Sequence, residues 1–381
     1  MYKLQSIFIF VVFLSYSVLL FRITTAWDSS GRANSLHFGL ENLPGVSIII
    51  PARNEEDNIG HTLHSVLSQD FATSLVEILI IDDHSTDSTT HIASGFGSKI
   101  RILQLADMMP DKGGKKMALQ YGIANSKREL IVTLDADCHP VSDNWLQTMV
   151  SQINDVHTNA TTGPVRYESD GSIWQNFVAL DNAGMMVVTA AGYRRGWFQM
   201  ANGANMCFRK EIFNKVNGYA GNVQLASGDD MFLFEKIEAR FPGTIRFIHT
   251  EQAIVSTQPP TDLKQWLRQR IRWGTKNRYL KNTKLKLLLG FVFLINLLLM
   301  FIPVLIIFST DPFLWVLLSV SVCLKIGSDY RLLKRGAVFL KQNSALKYYP
   351  VSAILYPLLL SISGVLSMFK SRYEWKDRQV R

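Results

Sequence analysis

Cysteine is scarce: three residues in 381, Cys138, Cys207 and Cys323, lie far apart and form no C-x-x-C pair. That excludes a disulfide framework, offers no cysteine-based zinc site and fits a thiol-reducing compartment. Charge is scarce too. Only 19% of residues are Asp, Glu, Lys or Arg, while 48% are hydrophobic. The balance is too apolar for a disordered chain and poor in charge for an ordinary soluble domain, so it indicates a folded protein partly in lipid. The length allows one large soluble domain plus membrane segments, or two modest domains. No internal repeat or low-complexity segment stands out.

Long uncharged runs are confined to the two ends. Ser6 to Phe21 is rich in Phe, Val, Leu and Ile, is flanked by Lys3 and Arg22, and with its flanks crosses most of a bilayer. It reads as a membrane anchor over residues 1–27. A cleaved signal peptide is the competing reading, because Thr24-Thr25-Ala26 loosely resembles a small-residue cleavage site. Leu287 to Phe308 has the length of a spanning helix, and Phe313 to Leu324 is apolar but short. Tyr348 to Phe369 is apolar over a full spanning length, with Pro350, Pro357 and Gly364 inside it. Residues 287–381 are thus expected to hold two or three membrane helices and a basic tail.

Acid is absent from Leu263 to Lys286, where nine basic residues stand: Lys264, Arg268, Arg270, Arg272, Lys276, Arg278, Lys281, Lys284 and Lys286. The positive-inside rule makes this flank cytoplasmic. Lys325, Arg331, Lys334, Arg335, Lys341 and Lys347, against Asp329 alone, place the next loop inside as well, so two helices form an in-out-in hairpin. The basic tail from Lys370 to Arg381 conflicts with a third simple crossing. Either Tyr348 to Phe369 is re-entrant or broken around Pro357, or the rule fails there. The net charge of +9 is concentrated beside lipid-spanning runs, which argues against nucleic acid as a partner.

Between these ends, residues 44–250 read as a soluble α/β domain. Val46 to Ile50 is a β-branched strand expected to stop at Pro51, where the ladder donor is lost. Ile59, Leu63, Val66 and Leu67 recur at helical spacing behind an acidic first turn, Glu55-Glu56-Asp57. Further strands are expected over Ile78–Ile81, Ile100–Leu105 and Leu130–Leu134, with helices around Thr86–Ala93 and Lys116–Ala124 between them. Such alternation means βαβ units and a largely parallel sheet, whose ligands bind outside the carboxyl ends of the strands.

The polar motifs stand at those ends: Pro51-Ala52-Arg53-Asn54-Glu55, then Asp82-Asp83-His84-Ser85-Thr86-Asp87, then Asp135-Ala136-Asp137. Acids gathered on one sheet edge repel unless a cation or donors partner them. In extended backbone, residues i and i+2 face the same side, so Asp135 and Asp137 can present carboxylates together to Mg²⁺ or Mn²⁺. Singly, each motif is as well explained by a solvated turn or an N-cap. His61, His64 and His91 lack metal-ligand spacing, and Gly113-Gly114-Lys115 lacks the spacing of a Walker loop.

The order of the motifs is more specific. VSIIIPARNEEDNI, IIDDHSTDST, KKMALQYGI, TLDAD, GANMCFRKEIF, GDDMFL and QRIRW follow one another, and over about residues 44 to 280 the chain resembles the membrane-bound inverting glycosyltransferases of family 2. The resemblance implies a GT-A domain, Rossmann-like, flanked by transmembrane helices. It implies that Pro51, Ala52, Glu55 and Asp83 line the pocket for the nucleotide base and ribose, with Asp82 contributing less. Lys115 would sit near the diphosphate, and Asp135 and Asp137 would hold the metal, Asp135 also meeting the donor. Asp230 would be the general base, although Asp229 stands where the family often has Glu. Gln269, Arg272 and Trp273 match Q-x-x-R-W and would serve the diphosphate and the acceptor from a basic interfacial segment, residues 251–286.

These residue types suit one in-line displacement with inversion: a metal stabilises the leaving diphosphate, and a carboxylate takes the acceptor proton. The expected partners are a nucleotide sugar, UDP-linked by expectation, a lipid or glycan acceptor, and the membrane. Because nucleotide sugars are generally cytoplasmic, the catalytic domain is expected on that face. A processive polysaccharide synthase and a non-catalytic nucleotide-sugar-binding scaffold are the alternatives. Few spanning segments disfavour the first, and the intact acid set disfavours the second.

Overall fold

The computed structural model describes residues 2–33, 43–110, 112–153, 157–221, 228–369, 373–375 and 378–380. Parts of the expected ranges, including 222–227 and much of the basic tail, lie outside the described residues. In chain order the elements are α1 Tyr2–Ala33, β1 Val46–Ala52, α2 Ile59–Leu67, β2 Val76–Asp82, α3 Thr89–Ser94, β3 Arg101–Gln104, α4 Lys115–Asn125, β4 Leu130–Thr133, β5 Cys138–Pro140 and α5 Trp145–Ser151. Then follow β6 Ala160–Thr162, β7 Val165–Tyr167, α6 Ile173–Arg195, β8 Met206–Arg209, α7 Lys210–Lys215, α8 Asp229–Arg240, β9 Ile245–Phe247 and β10 Val255–Thr257. The chain closes with α9 Leu263–Lys276, α10 Thr283–Ile307, α11 Pro312–Phe339, α12 Tyr349–Phe369, β11 Tyr373–Trp375 and β12 Arg378–Val380. Two compact units result: Met1–Ser30, Ser169–Phe198 and Pro259–Ser371 in one, Gly31–Glu168, Gln199–Gln258 and Arg372–Arg381 in the other. Residues 169–198, within the range expected for the soluble domain, group with the membrane helices.

In the second unit, seven strands form a sheet in the order β3-β2-β1-β4-β8-β6-β9. β1 to β4 are parallel, and β1 is apolar along nearly its whole length because both its faces are covered; Val46, Ile48, Ile49 and Ile50 are fully buried. The expected largely parallel sheet holds: β6 and β9 are also parallel to each other, and β8 alone runs against the other strands, antiparallel to both β4 and β6. β5, β10 and β7 form a separate three-stranded sheet. The strand order reverses on either side of β1, which opens a crevice at the carboxyl ends of β1, β2 and β4. β1 also runs two residues beyond the expected stop. Pro51 stays in register with Ile81 of β2, and because the ladder to β4 ends at Ile49, its missing N–H forfeits no bond on that side. Glu55, Glu56 and Asp57 are not a first helical turn; they form the turn before α2, which starts at Ile59.

The first unit is helical. Among the described residues, four helices are long and apolar enough to cross a membrane: 6–30 within α1, Thr283–Ile307, Pro312–Phe339 and the segment Asn343–Phe369 that contains α12. On α1, Ile7, Phe8, Val11, Leu14, Val18 and Phe21 form an exposed apolar stripe. Small residues permit close helix approach: a Cβ on Gly336 would lie 2.4 Å from the Ala183 carbonyl oxygen, so α11 meets α6 backbone to backbone. The expected cytoplasmic loop from Lys325 to Lys347 is mostly not a loop. α11 continues through Lys325, Arg331, Lys334 and Arg335, whose long side chains favour helix, and ends at Phe339. Pro357 does not break α12, which is continuous over 21 residues.

Candidate active site

Where β1 and β2 end, two polar turns lock onto each other. The Asp83 N–H donates to the Ala52 carbonyl at 2.8 Å, and the Arg53 guanidinium donates back to the carbonyls of Asp83 and His84 at 2.8 and 3.0 Å. Asn54 and His84 both take left-handed backbone, with φ of 50° and 61°, conformations that cost energy and persist only where neighbours enforce them. The Asn54 side chain does so by accepting the Thr86 N–H at 2.9 Å, and Thr89 Oγ1 accepts the Glu55 N–H at 2.7 Å. Asp82 accepts the Ser85 N–H at 3.3 Å. Asp83 is 2% exposed; its Oδ2 accepts the Gly114 N–H at 2.8 Å and its Oδ1 lies 3.0 Å from the His84 ring. Gly114 has φ 132°, open to glycine and strained for any side chain, so the chain can turn its N–H to Asp83 just before α4.

The second polar cluster lies where β4 ends. Oxygens of Asp135 and Asp137 and the Cys138 sulfur lie within 4.8 Å of one another. Cys138 is not the natural third ligand for a hard cation: burial, followed by the charge of Asp137 and Asp135, pushes its thiol well above its usual range, and its Sγ donates to Asp137 Oδ1 at 3.3 Å. Burial also raises Asp135, an effect that Lys115 opposes and the charge of Asp137 reinforces. Asp137 is exposed. Two carboxylates, one open to solvent and the other close enough to repel it, fit a divalent ion.

Lys115 begins α4 and reaches across to these acids, with Nζ 2.6 Å from Asp135 and 3.4 Å from Asp229. Burial favours its neutral form, but Asp135 and then Asp229 outweigh that and hold the ammonium charged well above its usual range. The pairing separates the two acids of the GDD motif. Asp229 is 5% exposed and belongs to the Lys115 pair. Asp230 is half-buried on the first turn of α8, its oxygens accepting N–H groups from Met231 at 2.7 Å and Gly203 at 3.3 Å. Gly203 allows this: a Cβ there would lie 2.7 Å from Asp229 and 3.1 Å from the Lys115 ammonium. Its glycine requirement was invisible in the sequence, although the GANMCF motif contains it. Arg53 lies within the stretch Pro51 to Glu55 expected to line the pocket, and the paired turns show what its guanidinium holds.

The structure therefore brings Pro51, Ala52, Glu55, Asp83, Lys115, Asp135, Asp137 and Asp230 to strand ends or flanking turns of one unit. Gln269, Arg272 and Trp273 belong to α9 in the helical unit. α9 is anchored there by its other residues: Trp266 Nε1 donates to Asp181 of α6 at 3.2 Å, Arg270 pairs with the same carboxylate, and its guanidinium lies 5.2 and 4.8 Å from the ring centroids of Trp266 and Trp273. His61, His64 and His91 are exposed, as expected of surface residues.

Comparisons with known proteins bear on the family and the fold. Residues 47–216 match the family model described as Glycosyl transferase family 2. Over 250 residues the chain is 30% identical to the probable glycosyltransferase YdaM of Bacillus subtilis, a match covering 63% of this chain and 57% of that protein. It is 26% identical over 234 residues to the glycosyltransferase AglE of Haloferax volcanii, covering 61% of this chain and 72% of the relative. The mannosyltransferase PcManGT from Pyrobaculum calidifontis, solved in complex with GDP-Man and Mn²⁺, is 17% identical, with TM-score 0.51 over 92% of this chain and 99% of that one.

Proposed function

Residues 47–216 are a family 2 glycosyl transferase domain, and from that premise we propose that the protein transfers a sugar from a nucleoside-diphosphate donor, UDP-linked, to a membrane-associated lipid acceptor with inversion. The observation that carries the reading is the acid cluster at the carboxyl end of β4, Asp135 and Asp137 with Lys115 beside them and Asp230 across Gly203. Asp135 and Asp137 would hold Mg²⁺ or Mn²⁺, whose Lewis acidity stabilises charge on the departing diphosphate. The Mn²⁺ of PcManGT supports a divalent ion without choosing between the two. Lys115 adds a fixed positive charge next to the phosphates. Asp230, oriented by two backbone N–H groups, keeps lone pairs to accept the acceptor's proton. Pro51, Ala52, Glu55 and Asp83 shape the nucleotide pocket, and Gln269, Arg272 and Trp273 bind diphosphate and acceptor from an interfacial α9. The basic run from Lys264 to Lys286 supports a cytoplasmic catalytic unit.

Purified protein in detergent, supplied with UDP- and GDP-sugars, Mn²⁺ and a total lipid extract, tests this. Mass spectrometry should find one glycosylated lipid, absent with Asp137→Ala, whose anomeric configuration is opposite to the donor's. A ladder of growing polymer would replace the lipid reading with processive synthesis, and an unconsumed donor would leave the scaffold reading.

A further inference from the structure

α12 is apolar enough to cross the bilayer, yet its two ends are held by different helices. At its start, Tyr349 Oη donates to the Ile326 carbonyl at 2.6 Å, and its ring lies 5.2 Å from Tyr330, both on α11. Between them on the sequence, Asp329 accepts from Tyr16 of α1 at 2.7 Å, and the Tyr16 ring lies 6.2 Å from Phe291 of α10. Near the other end of α12, Gly364 lies against the Phe293 ring, where a Cβ would meet it at 2.5 Å. Tyr349 and Gly364 are separated by roughly 22 Å of helix, the first held by α11 beside Asp329 and the second by α10 at Phe293.

Both contact points lie beside a boundary of charge in the sequence. Lys284 and Lys286 precede Phe291 on α10, and Arg331, Lys334 and Arg335 follow Asp329 on α11, while Leu287 to Phe308 and Phe313 to Leu324 carry none. Residues at both ends of α12 also meet other segments of the helical unit. Tyr348 Oη donates to the Gly171 carbonyl at 3.2 Å, just ahead of α6, which follows β7. Ser367 packs on Gly274 of α9, and Arg278 donates to the carbonyls of Ser367 and Met368. With five basic residues and no acid between Leu263 and Lys276, α9 cannot cross hydrocarbon, and a helix lying beside it cannot either.

We propose that α12 does not cross the membrane: it lies in the inner boundary of the bilayer, three helices cross, and the chain after Phe369 is on the face of the soluble unit. Val351, Ile354, Leu358, Ile362, Val365 and Phe369 form an exposed apolar stripe that faces the acyl chains. Ser352, Ser363 and Ser367 are buried on the opposite side. The basic tail then obeys the positive-inside rule, and β11 and β12 belong to the soluble unit. The inference needs the chain to be membrane-integrated but is independent of the proposed chemistry.

Single cysteines in a full-length Cys323→Ser background test it, since Cys138 and Cys207 are buried. With a membrane-impermeant maleimide on intact cells, Ser309→Cys in the α10–α11 turn should label, and Lys99→Cys and Gln379→Cys should label only after permeabilisation. Gln379→Cys labelling together with Ser309→Cys overturns the proposal, as does same-side labelling of Ser309→Cys and Lys99→Cys. Nitroxides at positions 351 and 369 in liposomes should report depths within about 5 Å of each other; a crossing helix would separate them by roughly 27 Å and overturn it too.

Discussion

Two groups of acids crowd one edge of one sheet and are neutralised in opposite ways. Asp82, Asp83 and Asp87, where β2 ends, are served by the protein's own donors: N–H groups of Ser85, Gly114 and Thr89, with Glu56 adding a second N–H to Asp87. Around the end of β4, Asp135 and Asp229 pair with Lys115, and the exposed Asp137 accepts from the Cys138 thiol. A carboxylate saturated by fixed N–H groups is part of a scaffold that shapes a pocket; carboxylates left with net negative charge in a partly buried place are prepared for a cation from outside. Local motif reading assigns the same bland turn to both, and the kind of partner, backbone N–H against a lysine ammonium, separates them.

The sharpest way to break this contrast is to remove a carboxylate from the under-compensated group. Asp137→Ala, or excess chelator on the wild type, should lower turnover by about 10³-fold or more; full donor consumption in chelator would show that the second cluster needs no cation. Asp230→Asn preserves shape and should slow the chemical step by about 10²-fold or more while donor still binds in a titration. If donor affinity is lost and the bound complex reacts normally, Asp230 belongs with the pocket acids.

Smaller effects should come from α9 and from the saturated group. Trp273→Ala should cut transfer to acceptor by about tenfold in detergent, the scale of a lost aromatic contact. Lys281→Ala and Lys284→Ala should leave transfer intact and weaken membrane-surface attachment by about 1 kcal/mol each; wild-type transfer by Trp273→Ala would reduce α9 to an anchor. Asp83→Leu leaves the Gly114 N–H without its acceptor and should destabilise the soluble unit by about 1–3 kcal/mol in urea titrations, with weaker donor binding. Unchanged stability would mean that Asp83 is not scaffold.

Asp87 should matter least, and its effect should depend on pH. Its slight burial raises its pKa, but hydrogen bonds from the Thr89 hydroxyl and N–H and the Glu56 N–H outweigh this and hold it below the usual carboxylate range. A depressed folded-state pKa contributes stability that is full above the unfolded value of about 3.9 and lost as pH falls through the folded one. Asp87→Asn should therefore cost about 0.5–1 kcal/mol at neutral pH, after allowance for solvent screening, and nothing near pH 2. A cost independent of pH would point to shape and not charge.

The sequence alone determined what local patterns encode. Unbroken apolar runs marked α1 and α10, β-branched stretches marked β1, β2 and β4, and the order of polar motifs at strand ends pointed to the proposed pocket and metal pair, because side-chain periodicity and chain adjacency are enough for each. Only the tertiary structure decided what depends on partners distant in the chain. Lys115 chose Asp229 over Asp230, which adjacency could not do. Gly203 owes its identity to the Asp229 and Lys115 side chains packed against it. Residues 169–198 joined the membrane helices because Asp181 is buried against Trp266 and Arg270, more than eighty positions away. The apolar length of α12 is written in its composition, but its direction depends on Tyr349, Gly364 and Ser367 meeting three other helices, and no window of sequence contains those meetings.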